Sequence, residues 1–144
     1  MNSDSSGSAG PTEAPTRLNA DSLEASLTVK DVEHSTAWYR DFLGFDVDRR
    51  HERGGKVVAI SLKAGAVRLL LAQDDGAKGI DRVKGEGFSL QITTRQRADD
   101  IAARIKQRGG VLDSEPMDMP WGPRVFRVRD PDGFRLTISS TPGT

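Results

Sequence analysis

The chain has 144 residues, the size of one ordinary domain, and its 21 basic and 21 acidic side chains give a formal net charge of zero. This balance argues against a nucleic-acid-binding protein, which usually has a basic excess, and against a polybasic membrane anchor. The sequence contains no cysteine, which excludes disulfides, thiol catalysis and thiolate metal sites. It shows no apolar run long enough to span a bilayer and no secretory signal, so we expect a cytoplasmic protein without a membrane partner.

The first twenty residues, 1–20, are rich in Ser, Gly, Ala and Pro and contain one large apolar residue, Leu18. A segment of this composition cannot bury enough surface to offset the entropy lost on ordering. We therefore expect a disordered tail, which is either an unstructured leader or a functional arm. The folded domain is expected over 21–144.

The first half of that domain is predicted to contain a strand, a helix, a short strand and a hairpin. Apolar and polar residues alternate over 23–29, which is the period of a half-buried strand. Asp31 is a good helix N-cap and Gly44 a good C-cap, so a helix is predicted between them. Turn signals and β-rich runs then predict the remaining strands: 45–47, 56–62 and 66–71.

The second half repeats this order of elements at an offset of roughly 65 residues. The predicted elements are a strand at 88–92, a helix at 97–108, an extended piece at 111–112, a Pro-rich loop at 113–124, and strands at 124–129 and 134–138. Each half is too small to be stable alone. We therefore predict an α+β fold of two βαβββ modules, 22–75 and 86–140. They would form a curved mixed sheet around a cleft, with helices on the outer face.

Three stretches carry a resemblance to a known family: WYRDFLGF at 38–45, the helical stretch 101–110, and RDPDGF at 129–134. In this order and spacing they resemble the vicinal-oxygen-chelate superfamily, which includes glyoxalase I, extradiol dioxygenases, fosfomycin-resistance enzymes and bleomycin-resistance proteins. The resemblance covers nearly all of the predicted domain. It implies the fold described above and a homodimer, because many members complete their clefts between two chains.

The resemblance also implies four strand positions at which the enzymes of the superfamily hold a divalent metal with His, Glu or Gln. In this sequence those positions are Glu24, Leu70, Phe88 and Thr137. Leucine and phenylalanine have no lone pair to donate, threonine is a weak neutral ligand, and a catalytic metal normally needs about three protein ligands. The two histidines, His34 and His51, are expected on a helix and in a loop, away from any shared site. We therefore expect no metal cofactor.

Without metal ligands, the cleft would still offer a surface for a small molecule. The resemblance implies that the floor of the cleft contains Leu70, Phe88, Leu90 and Thr137. Alternation along the strands adds Arg68, Ala72 and Arg135 beside them. Met119 and Trp121 in the Pro-rich loop suit stacking on a planar ligand. The alternative for Trp121 is a purely structural role, in which its ring covers the end of the fold. Arg124 would steer an anionic group or would simply be solvated.

The leading hypothesis is metal-independent binding of a small, partly aromatic or hydrophobic molecule, as in bleomycin-resistance-like proteins. One alternative is a glyoxalase-like or dioxygenase-like enzyme that uses an atypical metal site or Glu24 as a general base. A Glu on an edge strand beside the predicted tail is more commonly solvated or paired with an Arg, and this interpretation is favoured over a general base. The other alternative is an accessory domain with a vestigial cleft.

Overall fold

The computed structural model describes residues 16–141. The tail predicted over 1–20 therefore lies mostly outside the described residues. Its last five positions, 16–20, are exposed and belong to no helix or strand. Of the helices that lie within the described part of the chain, none is both long and apolar enough to cross a membrane.

The first module forms a four-stranded mixed sheet with one helix. Its elements are β1 (Ala25–Val29), α1 (Val32–Trp38), β2 (Asp46–Arg53), β3 (Lys56–Ala64) and β4 (Val67–Gln73). The strand order is β1-β4-β3-β2, with β1 parallel to β4 and the other pairs antiparallel. The Asp31 side chain caps α1 by accepting the His34 backbone N–H at 3.1 Å. The helix continues as a π-helical turn, Tyr39–Leu43, and ends at Gly44, whose φ of 77° suits glycine.

The second module repeats this topology. Its elements are β5 (Ser89–Thr94), α2 (Ala98–Gln107), β6 (Ser114–Asp118), β7 (Arg124–Arg129) and β8 (Arg135–Ser140). The strand order is β5-β8-β7-β6, and β5 runs parallel to β8 as β1 does to β4. The predicted α+β class and the repeated βαβββ order are confirmed. In the described residues the strands hydrogen-bond as two separate four-stranded sheets.

Two strands differ from the sequence prediction. β2 runs to Arg53 instead of ending near residue 47, so His51 lies on a strand and not in a loop. Its sequence is almost entirely polar and forms an edge strand held by β3, which hydrophobic alternation does not reveal. β6 lies inside the predicted Pro-rich loop and not at 111–112. Pro116 is tolerated there because β6 is an edge strand whose pairing with β7 is irregular.

One apolar core is shared by both modules. The helices and the inward faces of both sheets contribute to it, including Leu27, Val29, Tyr39, Ile60 and Leu71 from the first module, and Ile101, Ile105, Phe126, Val128 and Leu136 from the second. Since side chains alternate across a strand, the intervening residues lie on the opposite side of each sheet. We call that opposite side the cleft face.

A buried polar cluster, which we call the junction, joins the two modules. It consists of Tyr39, Asp74, Lys84, Asp130 and Asp132. The Tyr39 hydroxyl donates to Asp130 Oδ2 at 2.8 Å, and Asp130 Oδ1 accepts the backbone N–H groups of Asp132 and Phe134, both at 2.9 Å. Burial raises the pKa of the Asp130 carboxyl and that of the Tyr39 phenol.

The other half of the junction is a chain of ion pairs. Lys84 Nζ lies 2.9 Å from Asp74 Oδ2 and 3.4 Å from Asp132 Oδ2, and all three side chains are almost fully buried. The hydrogen bond from Lys84 lowers the pKa of the Asp74 carboxyl, and the backbone N–H of Gly76 contributes to the same effect. Asp132 also accepts the backbone N–H of Lys30 at 2.8 Å. The segment between the modules is thus fixed to both of them.

Candidate ligand-binding groove

An open groove of about 490 Å³ lies on the cleft face of the second sheet. Its lining consists of Gly87, Phe88, Ser89, Asp113, Arg127, Arg129, Arg135 and Thr137. Phe88, Thr137 and Arg135, which the sequence predicts in the cleft, lie together in this groove. Arg127 and Arg129 also line it and were not predicted there, although the alternation of β7 carries the signal for both.

Three adjacent strands position the polar side chains of the groove. Ser89 on β5 pairs with Arg135 on β8, which in turn pairs with Arg129 on β7. Thr137 pairs with Arg127 in a second row. Residues that pair directly across strands share a face, so this side of the sheet carries three guanidinium groups.

Negative charge in the groove is scarce. Arg129 Nε lies 3.2 Å from Asp113 Oδ2. Within residues 16–141, no carboxylate oxygen lies within 4 Å of the guanidinium of Arg127 or Arg135. Arg129 and Arg135 also stand directly opposite each other, an arrangement of like charges that destabilises a strand pair. The groove is therefore a cationic surface.

An aromatic ring stands at the edge of this cationic surface. Phe88 is 44% exposed, and its ring centre lies 5.9 Å from that of Phe134. A Cβ on Gly85 would lie 3.0 Å from the Phe134 ring and 3.2 Å from its Cα. Only glycine therefore lets the connecting segment pass this close to Phe134 before it reaches Phe88. The exposed part of the Phe88 ring offers an apolar contact beside the arginines.

Two predicted cleft residues lie elsewhere. Leu90 packs against the hydrophobic core and pairs with the buried Leu136, so its predicted position in the cleft is wrong. Phe88 lies just before β5 and outside its alternation, which is why the two residues do not share a face. Leu70 is half-buried on the cleft face of the first sheet, opposite Ser26 and Ser61. It does not line the groove, which draws only on the second half of the chain.

Arg124 also lies away from the groove, contrary to the expectation that it steers a ligand in the cleft. It shares the core-side face of β7 with Phe126, and its guanidinium contacts Asp99 of α2 at 3.0 Å and Asp118 of β6 at 3.1 Å. These hydrogen bonds raise its pKa. Arg124 therefore ties α2 and β6 to the sheet.

Met119 and Trp121 lie in the turn between β6 and β7. The Gly122 backbone N–H donates to the Met119 carbonyl oxygen at 2.9 Å, and Trp121 is 76% exposed at the tip. The turn adjoins Arg124 at the start of β7, whereas the groove residue Arg129 ends that strand. At about 3.4 Å per residue the two ends of β7 are roughly 17 Å apart. Neither residue lines the groove, so a stacking role for Trp121 would require a different ligand position.

A family model described as Glyoxalase/Bleomycin resistance protein/Dioxygenase superfamily matches residues 21–138. The chain belongs to this superfamily. This confirms the family to which the sequence showed a resemblance. No curated protein matches the chain.

Solved structures show the same fold. A protein from the mobile metagenome of V. Pseudocholerae has a TM-score of 0.67 at 22% identity, covering 89% of this chain and 100% of its own. A superfamily member from Sphaerobacter thermophilus has a TM-score of 0.63 at 21% identity, covering 85% and 98%. A glyoxalase I variant from Zea mays has a TM-score of 0.70 at 20% identity, covering 84% of this chain and 45% of that chain. Identities this low establish the fold alone.

The donor set at the four metal positions of the superfamily does not fit a divalent ion. Glu24 is exposed just before β1, Leu70 and Phe88 are apolar, and Thr137 offers only a hydroxyl. No group of three or more His, Asp or Glu residues placed to hold a metal occurs in the part of the chain that the structure describes. These side chains therefore supply at most one carboxylate where about three ligands are needed.

His51 makes a contact that the sequence does not predict. Its Nε2 lies 3.0 Å from Ser61 Oγ, and both residues are half-buried in the first module. Ser61 alternates with the core residues Ile60 and Leu62, which places it on the cleft face. The signal was hidden because β2 extends beyond the short strand that its sequence indicates.

Proposed function

We propose that the chain binds a small, partly aromatic molecule on the cleft face of its second sheet, without a divalent metal. The observation that supports this best is the groove itself, where the exposed Phe88 ring lies beside the polar side chains of Ser89 and Thr137. Its volume of about 490 Å³ falls within the range of roughly 300–1,000 Å³ typical of small-molecule sites. This is the behaviour of the bleomycin-resistance-like members of the superfamily.

The chemistry of the donor set supports binding over metal-dependent catalysis. A metal that polarises a substrate needs several lone-pair donors, and two of the four positions are Leu70 and Phe88. The remaining carboxylate, Glu24, is exposed and lies just before β1. A general base must lie within hydrogen-bond reach of the proton that it removes, and Glu24 is not among the residues that line the groove.

We further propose that a second copy of the chain closes the groove. Every lining residue belongs to the second module, so the groove has a floor on one sheet and no wall from the other. Size-exclusion chromatography with light scattering measures the molar mass in solution, and we expect the mass of a homodimer. A monomer at micromolar concentration that still binds ligands would contradict it.

The function is tested with an aromatic fragment library and protein dialysed against a chelator. We expect saturable shifts in the amide NMR spectrum at Phe88 and Thr137. Phe88→Ala should weaken that binding at least tenfold, because it removes the apolar contact. The matched control is Trp121→Ala, which removes an exposed aromatic ring outside the groove and should leave the affinity unchanged.

Either a failure to bind or a dependence on metal would overturn the proposal. The first is that no fragment of the library binds. The second is that binding appears only after a divalent ion is added, or that elemental mass spectrometry finds near-stoichiometric metal in the dialysed protein. Metal retention would favour the enzyme hypothesis and make Glu24 the first residue to change.

A further inference from the structure

We propose that the groove selects anions, with the carboxylate or phosphate group of the ligand bound between Arg127 and Arg135 and its planar part against Phe88. The inference rests on the function proposed above and names the class of ligand that the same site takes.

The groove gathers several arginines around one carboxylate. Arg127, Arg129 and Arg135 line it together, and the acidic side chain in the lining is that of Asp113, which contacts Arg129. Outside the groove, Arg50 and Arg124 lie within 4 Å of a carboxylate, whereas Arg49 and Arg53 have none within that distance among the described residues. What distinguishes the groove is therefore the clustering of guanidinium groups on one sheet face, which leaves positive charge in local excess there.

The pairing of the strands increases the benefit of a bound anion. Arg129 and Arg135 are directly opposite each other, so their charges repel across the ladder. An anion placed among them relieves that repulsion as well as forming hydrogen bonds. A neutral ligand forms hydrogen bonds only, and these are weaker than hydrogen bonds to an anion.

The positions of Arg127 and Arg135 allow both to reach one anionic group. Arg127 pairs with Thr137, two residues beyond Arg135 on β8, which makes the two arginines diagonal neighbours. Diagonal residues on a sheet lie about 7–8 Å apart, within reach of long side chains. The guanidinium fork binds carboxylate and phosphate in the same bidentate way. The Ser89 hydroxyl, on the strand next to Arg135, adds a further donor.

The test uses three probes that share one ring system and differ in the attached group: 2-naphthoate, 2-naphthyl phosphate and 2-naphthamide. Calorimetry should give at least tenfold tighter binding for one or both anions than for the neutral amide. Raising the salt concentration from 50 to 500 mM should weaken the binding of both anions and leave the affinity for the amide nearly unchanged. The ranking of the two anions shows whether the site prefers a carboxylate or a phosphate.

Two variants and a matched control locate the effect. Arg127→Gln and Arg135→Gln should each weaken anion binding at least tenfold while the amide affinity stays within twofold. Arg53→Gln removes an exposed arginine at the end of β2, in the other module, and should change none of the three affinities.

The outcomes separate this inference from the proposed function. Equal affinity for the amide and both anions would overturn the anion selection and leave the binding function standing. The same holds if both groove variants keep wild-type anion affinity. Failure of all three probes, together with the fragment library, would overturn the function itself.

Discussion

The junction and the groove both gather charged side chains, yet they satisfy them in opposite ways. In the junction, Lys84 lies between two carboxylates, and Asp130 accepts three hydrogen bonds. In the groove, Arg127 and Arg135 have no carboxylate within 4 Å among the described residues. The comparison distinguishes charges that hold the two modules together from charges that remain free for another molecule.

Burial explains the difference. Removing a charge from water costs several kcal/mol unless partners replace the lost hydration, so charges in the interior persist only in complete networks. Charges on an exposed face keep their hydration, and pairing them gains little, with a median of about 0–1 kcal/mol. The groove arginines therefore persist without partners at low cost. Breaking the junction should accordingly cost far more stability than removing a groove arginine.

The largest expected effect comes from Asp130→Ala. Two backbone N–H groups and the Tyr39 hydroxyl lose their acceptor in a buried position, so the free energy of unfolding should fall by roughly 3 kcal/mol. Urea unfolding followed by circular dichroism measures this. Asp130→Asn keeps an acceptor oxygen and should lose less. A loss of unfolding free energy below about 1 kcal/mol for the alanine variant would contradict the view that the junction stabilises the fold more than the groove arginines do.

Tyr39→Phe should give the next largest loss. It removes one buried hydroxyl and leaves Asp130 Oδ2 without that donor, while the ring keeps its contacts with Trp38 and Phe45. We expect the free energy of unfolding to fall by about 1–2 kcal/mol. The control is Trp121→Phe at an exposed turn, which should leave stability unchanged. Equal effects of the two variants would contradict a specific role for the Tyr39 hydroxyl.

The pH dependence of stability should separate the two acids of the junction. Burial raises the pKa of Asp130 above its usual 3.8, so the folded state takes up a proton first and stability rises as pH falls from neutral toward 3.8. The hydrogen bond from Lys84 lowers the pKa of Asp74, so its contribution is present above 3.8 and is lost as pH falls through its folded pKa.

Urea unfolding between pH 7 and pH 3 tests both directions. Compared with Asp130→Asn, the wild-type protein should gain stability as pH falls toward 3.8. Compared with Asp74→Asn, it should lose stability at lower pH. The same pH profile for the wild-type protein and both variants would show that neither carboxyl has a shifted pKa.

Arg135→Gln should have the smallest effect on stability, with the opposite sign. The substitution removes a like-charge pair, so the unliganded protein should be unchanged or more stable by up to about 0.5 kcal/mol. The same urea experiment measures it. A loss above about 1 kcal/mol would show that the groove arginines hold the fold, and the contrast with the junction would fail.

Much of the fold could be predicted from the sequence because its signals are local. Alternation marks the strands, and Asp31 and Gly44 mark the ends of the first helix through backbone hydrogen bonding and a positive φ. The strands that the sequence misplaced, β2 and β6, are edge strands whose pairing comes from the neighbouring strand. Their own side chains carry no hydrophobic pattern, so local reasoning had nothing to detect.

The site was harder to predict because alternation gives two faces without saying where the alternation starts. Phe88 and Leu90 share a face if the strand starts at residue 88 as predicted, but β5 begins at Ser89, so only Leu90 follows the alternation of β5 into the core. Arg124 starts the predicted strand 124–129 and also ends the predicted loop, so the sequence does not say which face of the strand it occupies. In the structure it lies on the core side of β7 and contacts Asp99. Which face each arginine of β7 occupies depends on the partner strand and on α2, which are contacts at long range in the chain.

The junction also has a consequence for the order of events during folding. Each sheet forms entirely within its own module, whereas the hydrogen bond from Tyr39 to Asp130 joins residues 91 positions apart. We expect this contact to form after both sheets, because the chain must first be closed over that distance. An interaction that forms after the transition state acts on the unfolding rate and leaves the folding rate nearly unchanged. The Tyr39 hydroxyl should therefore set how long the docked modules stay together, and have little influence on how quickly they form.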